Sequence, residues 1–74
     1  MPSPHYVGVR VGKLPGRIGE VALNGDRTVR TALEGAELDS EGYEIRVNSE
    51  KVGLDHVLTE GDTVLLVRPV KGNN

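Results

Sequence analysis

"TVLLV", Thr63 to Val67, is the most apolar run in the chain, and both of its alternating sets of side chains are apolar. A strand with one wet face alternates apolar and polar residues, whereas a strand shielded on both sides does not. Thr63–Val67 therefore reads as a strand covered on both faces, or as one placed centrally in a sheet. Working outward, "EGD" (Glu60–Asp62) is a tight turn leading into it. "YVGVRV" alternates, with Val7, Val9 and Val11 on one face and Tyr6, Gly8 and Arg10 on the other, the pattern of a half-buried strand. "YEIRVN" does the same, setting Tyr43, Ile45 and Val47 inward and Glu44, Arg46 and Asn48 outward. "GKLPGR" between the first strands reads as a loop, because Pro15-Gly16 is a turn pair.

Two segments read less regularly. In "IGEVALN", Ile18 and Glu20 share one parity while Val21 and Leu23 share the other. This predicts a second strand with a bulge near Gly19 or a frayed start. "SEKVGLDHVL" is expected to hold a short strand around Val52, then a compact turn anchored by Leu54, Val57 and Leu58.

The period changes in "DRTVRTALEGAEL", where Val29, Ala32, Leu33 and Ala36 fall at i, i+3, i+4 and i+7, one stripe of a helix. Asp26 or Thr28 can cap its N-terminus by accepting backbone N–H bonds that have no partner within the helix. Gly35 costs about 1 kcal/mol relative to alanine inside a helix, so the last turn is expected to be weak. "DSEG" then turns the chain. The resulting order is β-β-α-β-β-β. A lone helix must cover one apolar sheet face, which gives a two-layer α+β domain. With a hairpin first and the most apolar strand last, in the middle beside the first, the mixed sheet and its covering helix form a β-grasp.

The 74 residues make a single domain, spanning residues 1–74, with 1–5 and 70–74 expected as flexible tails. A chain this small buries only about 60% of the surface its unfolded form exposes, and the absence of cysteine leaves no disulfide to supplement the core. No apolar run approaches the length of a membrane span, and "MPSPHY" lacks the pattern of a secretory signal, so the expectation is a cytoplasmic protein with no membrane partner. Nine basic residues against eleven acidic ones argue against phosphate neutralisation, and the two tyrosines provide no stacking platform, so no nucleic-acid partner is expected.

Catalytic and cofactor chemistry finds no support. His5 and His56 lie far apart with no cysteine nearby, so no metal site is assigned. "GVRVGK" (Gly8–Lys13) departs from the phosphate-loop spacing and alternates as a strand. The acids of "EGAELDSEGYE" do not fit a calcium-loop spacing. Ser40 and Ser49 have no evident base or orienting acid, so no catalytic residue, no cofactor and no enzymatic activity are expected. Gly61 and Asp62 have a structural reading: glycine tolerates φ > 0, and the aspartate can accept nearby backbone N–H bonds at the turn.

"YEIRVNSEKVGLDHVLTEGDTVLLVRPVKGNN" resembles the C-terminal half of the ubiquitin-like sulfur carriers, namely the small subunit of molybdopterin synthase and the thiamin-pathway sulfur carrier. Asn48, Leu58, Gly61, Asp62, Val64 and Pro69 sit where that pattern wants them, and "TVRTALEGAEL" is similar to the family's helix. The resemblance covers residues 18 to 72. It implies a protein partner, either an adenylating enzyme or a synthase subunit, and a C-terminal glycine whose carboxylate is activated. Here Gly72 matches the first glycine of the family's terminal pair, Asn73 replaces the second, Asn74 is extra, and Lys71 precedes them.

If Val64 and Leu66 point at the helix, alternation sends Leu65 and Val67 to the outer face, with Arg10 and Arg46 on neighbouring strands. An apolar spot rimmed by guanidinium groups suits a partner surface bearing carboxylates. The alternative is that Leu65 and Val67 are covered by the N-terminal segment or are simply exposed. Three functions stay open: a non-catalytic protein-binding domain using Arg10, Arg46, Leu65 and Val67; a sulfur carrier or protein modifier activated at Gly72 after tail trimming; and a regulatory ligand-binding module of the same fold. Oligomeric state is not legible.

Overall fold

The computed structural model describes residues 6–69. The tail positions Lys71, Gly72, Asn73 and Asn74, the N-terminal positions 1–5 including His5, and Val70 lie outside the described residues. Strands β1 (Tyr6–Lys13) and β2 (Ile18–Asn24) form an antiparallel hairpin, followed by helix α1 (Val29–Gly35), β3 (Glu44–Val47), β4 (Glu50–Lys51) and β5 (Thr63–Val67). The spatial order is β2-β1-β5-β3-β4. β5 runs parallel to β1 and antiparallel to β3, so the most apolar segment is the central strand of a mixed sheet.

The alternation sorts as the residues dictate. Val7, Val9, Val11, Leu23, Ile45, Val47, Val64 and Leu66 form the buried face, and Val29, Ala32 and Leu33 of α1 close over it, with Leu58 wholly buried between the layers. Thr28 is the N-cap: its Oγ1 accepts the Thr31 N–H at 3.4 Å, while Asp26, two residues earlier, accepts the Thr28 N–H at 3.1 Å. The helix stops at Gly35, and Ala36 serves as C-cap while its side chain still packs on the core. Gly35 has a packing role: a Cβ there would lie 2.9 Å from Cγ1 of Val21, so the missing side chain lets helix and strand approach.

Three expectations need correction. β2 carries no bulge and no frayed start; its register is continuous from Gly12↔Ile18 to Tyr6↔Asn24. Ile18 belongs to the outer face, where it is 48% exposed, and that is why its parity differs from Val21 and Leu23. Gly12 and Lys13, read as loop, are the last residues of β1, and their extension gives Leu65 and Leu66 of β5 their β1 partners. Val57 does not anchor the turn before β5: it is 62% exposed, and its position bridges Thr28 through the backbone, while Leu54 packs against the core and Leu58 is buried within it. The short strand lies at Glu50–Lys51, with Val52 continuing it by donating its N–H to Ile45 O at 3.0 Å.

Candidate functional site: the outer sheet face

The helix covers one side of the sheet, and among the described residues no element covers the other, so the outer face is built from register alone. Gly12 pairs with Ile18 on β2 and with Leu65 on β5; Leu65 pairs with Arg46 on β3; Arg46 pairs with Lys51 on β4. One cross-strand row therefore reads Ile18, Gly12, Leu65, Arg46, Lys51. Gly12 matters to it, because a Cβ there would fall 2.6 Å from Ile18 Cγ1 and 2.7 Å from Arg17 O. Without that Cβ, Ile18 packs against the bare β1 backbone at Gly12, and Gly12 itself is buried.

Arg10 stands opposite Thr63 on β5 and Glu20 on β2, one row along from Leu65. Val67 stands opposite Glu44 on the other side. Val67 lies four residue steps along β5 from Thr63 in the Arg10 row, about 13 Å at the rise of a strand, so the sheet groups Arg10 with Leu65 and not with Val67. Leu65 and Val67 are half-buried and Arg10 is exposed. Arg46 is already engaged: its guanidinium meets the Glu44 carboxylate and donates to Ser49 O at 3.1 Å. The rim of the apolar row is thus of mixed charge, Arg10 beside Glu20 and Arg46 beside Glu44, with Lys51 at its end. Sequence reasoning missed Ile18 as a member of this face. Its parity with Glu20 was the available signal.

Gly8 of β1 also lines a shallow depression of about 460 Å³, together with Arg10, Glu20, Ala22, Glu60 and Gly61, among others. Glu60 closes one side by accepting the Gly8 N–H at 2.9 Å.

The corner before β5 is a polar staple. Gly61 has φ +85°, and Asp62 accepts the Thr59 N–H at 2.9 Å and the Asn48 Nδ2–H at 2.9 Å. Asn48, at φ +52°, in turn accepts the Thr63 N–H through Oδ1 at 3.2 Å and donates its own N–H to Thr63 O at 3.1 Å. The Thr59 N–H and the Asn48 amide hold the Asp62 carboxyl below the usual carboxylate value. These bonds fix the β3–β4 turn against the start of β5, and so set the register that brings Arg46 to Leu65.

Gly8–Lys13 is a ladder strand and not a phosphate loop. His56 lies in the turn before β5 and donates its backbone N–H to Gly53 O at 3.2 Å. Among the described residues, no group of three or more histidine, cysteine, aspartate and glutamate side chains is placed to hold a metal ion. Among the described residues, no helix is long and apolar enough to cross a membrane.

Comparison with known proteins agrees with the fold. The family described as "ThiS family" matches residues 13–72, from the end of β1 through Gly72. No curated protein matches the chain. Among solved structures, SAMP1 from Haloferax volcanii, a small archaeal modifier protein, is similar at 21% identity and a TM-score of 0.70, over 89% of this chain and 99% of that one. The ubiquitin of Caldiarchaeum subterraneum is similar at 16% identity and a TM-score of 0.61, over 92% of this chain and 100% of that one. A ubiquitin-like protein from Trypanosoma brucei is similar at 17% identity and a TM-score of 0.65, over 92% and 100%. At such identities the likeness to these structures is one of fold. The family match covers most of the chain and joins the ubiquitin-like fold to the sulfur-carrier sequence pattern: the chain belongs to the ThiS family of ubiquitin-like β-grasp sulfur carriers.

Proposed function

We propose that this protein is non-catalytic and works by docking its outer sheet face onto a protein partner, an adenylating enzyme or a synthase subunit. The observation that carries the reading is the row Ile18–Gly12–Leu65–Arg46–Lys51, an apolar saddle that ends in Arg46, paired with Glu44, and in Lys51. It fits a partner surface offering an apolar side chain to the saddle and a carboxylate to Arg46 and Lys51, with Arg10 and Val67 as flanking contacts. Leu65 is central, and central apolar contacts with excluded water carry most of an interface's energy. The test is capture of partners from the native cell by the wild-type protein and by Leu65→Asp, with circular dichroism confirming that the variant folds. Loss of the partners is expected. Retention of every partner by folded Leu65→Asp refutes the face.

A second reading rests on the family match reaching Gly72. After hydrolytic removal of Asn73 and Asn74, the Gly72 carboxylate attacks the α-phosphate of ATP held by the partner and releases pyrophosphate. The acyl-adenylate then gives up AMP to a sulfide-level sulfur donor, forming a thiocarboxylate, or to an amine of a target, forming an amide. Intact mass spectrometry of the protein from its native cell decides this. A single species that retains Asn74, with neither thiocarboxylate nor conjugate, excludes it.

A further inference from the structure

The sheet has two outer edges, and they differ. β4 closes one with Glu50–Lys51, two charged residues, too short to template another strand. β2 closes the other with seven residues, Ile18–Asn24, free of proline and bulge and bearing one charge, Glu20. Long, regular, sparsely charged edges accept an added strand.

β1 determines which β2 groups face outward. Gly8 donates its N–H to Glu60 at 2.9 Å and accepts the Gly61 N–H at 2.8 Å, and Arg10 donates to Asp62 O at 2.9 Å, all on the side away from β2. Their β2 partners, Ala22 and Glu20, are therefore non-hydrogen-bonded pairs of the β1–β2 ladder. Alternation then turns the N–H and C=O groups of Ile18, Glu20, Ala22 and Asn24 to the edge. Among the described residues, no turn or loop group and no side chain bonds to them.

We propose that this edge pairs with the same edge of a second copy, antiparallel across a twofold axis at Val21, joining two five-stranded sheets into one. Outward groups meet only when even-numbered residues oppose one another. A twofold at Glu20 sets like charges face to face, which is unfavourable. A twofold at Val21 instead sets Glu20 opposite Ala22 of the second copy and Ile18 opposite Asn24, using the whole strand. The two Val21 side chains then form a close pair on the helix-covered face, and Arg17 of each copy comes beside the Gly25–Asp26 turn of the other. This fit of small residue to acid, and of cation to anion, comes from the chain's own sequence, which favours a second copy over a foreign strand. The outer face with Leu65 stays open in the pair, so this proposal stands or falls separately from the docking face.

Sedimentation equilibrium of the full chain, up to about 1 mM, reads the association directly. A reversible monomer–dimer equilibrium is expected. Ala22→Lys places a cation opposite Glu20 at two symmetric sites and tightens the dimer about 2- to 30-fold, while Ala22→Glu weakens it by a similar factor. Ala22→Pro removes an outward N–H without touching the β1 ladder, and abolishes the dimer while circular dichroism is retained. Monomeric wild-type and Ala22→Lys proteins at the highest concentration overturn the proposal. So does a dimer whose affinity Ala22→Lys lowers or Ala22→Glu leaves unchanged. If Ala22→Pro does not fold, the lysine and glutamate pair still decides.

Discussion

The corner that sets the Arg46–Leu65 register makes a quantitative prediction at Asn48. Its φ of +52° costs an ordinary side chain about 1–2 kcal/mol, which glycine avoids. Its amide also makes two bonds, to Asp62 Oδ1 at 2.9 Å and from the Thr63 N–H at 3.2 Å. Each contributes about 0.5–1 kcal/mol net at an exposed site. Asn48→Gly loses the two bonds and keeps the backbone conformation, at a cost of about 1–2 kcal/mol. Asn48→Ala loses the bonds and gains the strain, offset by about 0.4–1 kcal/mol from the stiffer unfolded chain. Glycine should therefore be the better tolerated by about 0.5–1 kcal/mol, an inversion of the usual order for the two residues. For a domain of this size, 1 kcal/mol shifts Tm by about 4–8 °C, so both variants remain folded but separable. Urea denaturation of the three proteins at neutral pH measures the differences. If alanine equals or exceeds glycine, the left-handed conformation is not what constrains Asn48. If both variants unfold like wild type, the staple does not hold β5 in register.

Two further outcomes follow from the same contacts. Asp62 has its carboxyl lowered below 3.8 by the Thr59 N–H and the Asn48 amide, so its contribution is fully present above that value and is lost as the pH falls through the lower folded-state value. Asp62→Asn should therefore show a shallower fall in stability across that acidic window than wild type, measured by urea midpoints at successive pH values; parallel curves refute the linkage. Gly12→Ala would drive a methyl to within 2.8 Å of the Ile18 Cα and 2.7 Å of Arg17 O, backbone atoms that cannot swing aside. A cost of about 1–3 kcal/mol and faster amide exchange in the β1–β2 hairpin are expected, and unchanged exchange would show that the hairpin does not need this glycine.

The strands were legible because burial imposes a period of two, and Val7, Val9 and Val11 or Ile45 and Val47 obey it without exception. The same rule placed Leu65 on the outer face from the burial of its neighbours Val64 and Leu66. It failed at Ile18 because an apolar residue on a solvent-facing parity looks like a break in the pattern, when its actual partner is the bare backbone of Gly12 across the hairpin. Val57 misled for a related reason: apolarity in a turn suggests anchoring, yet only its backbone position meets Thr28.

Register and staples are a different kind of information. The bond from Gly8 to Glu60 spans 52 positions, and that from Asn48 to Asp62 spans 14, so neither leaves a local pattern to read. Parity assigns a residue to a face, but only pairing across the parallel β1–β5 ladder brings Ile18, Leu65 and Arg46 into one row and leaves Val67 with Glu44. The site's composition was therefore local and its geometry was not. A change at Asn48 or Asp62, neither of which lies in that row, should alter partner docking through the register of β5, even where Leu65 itself is untouched.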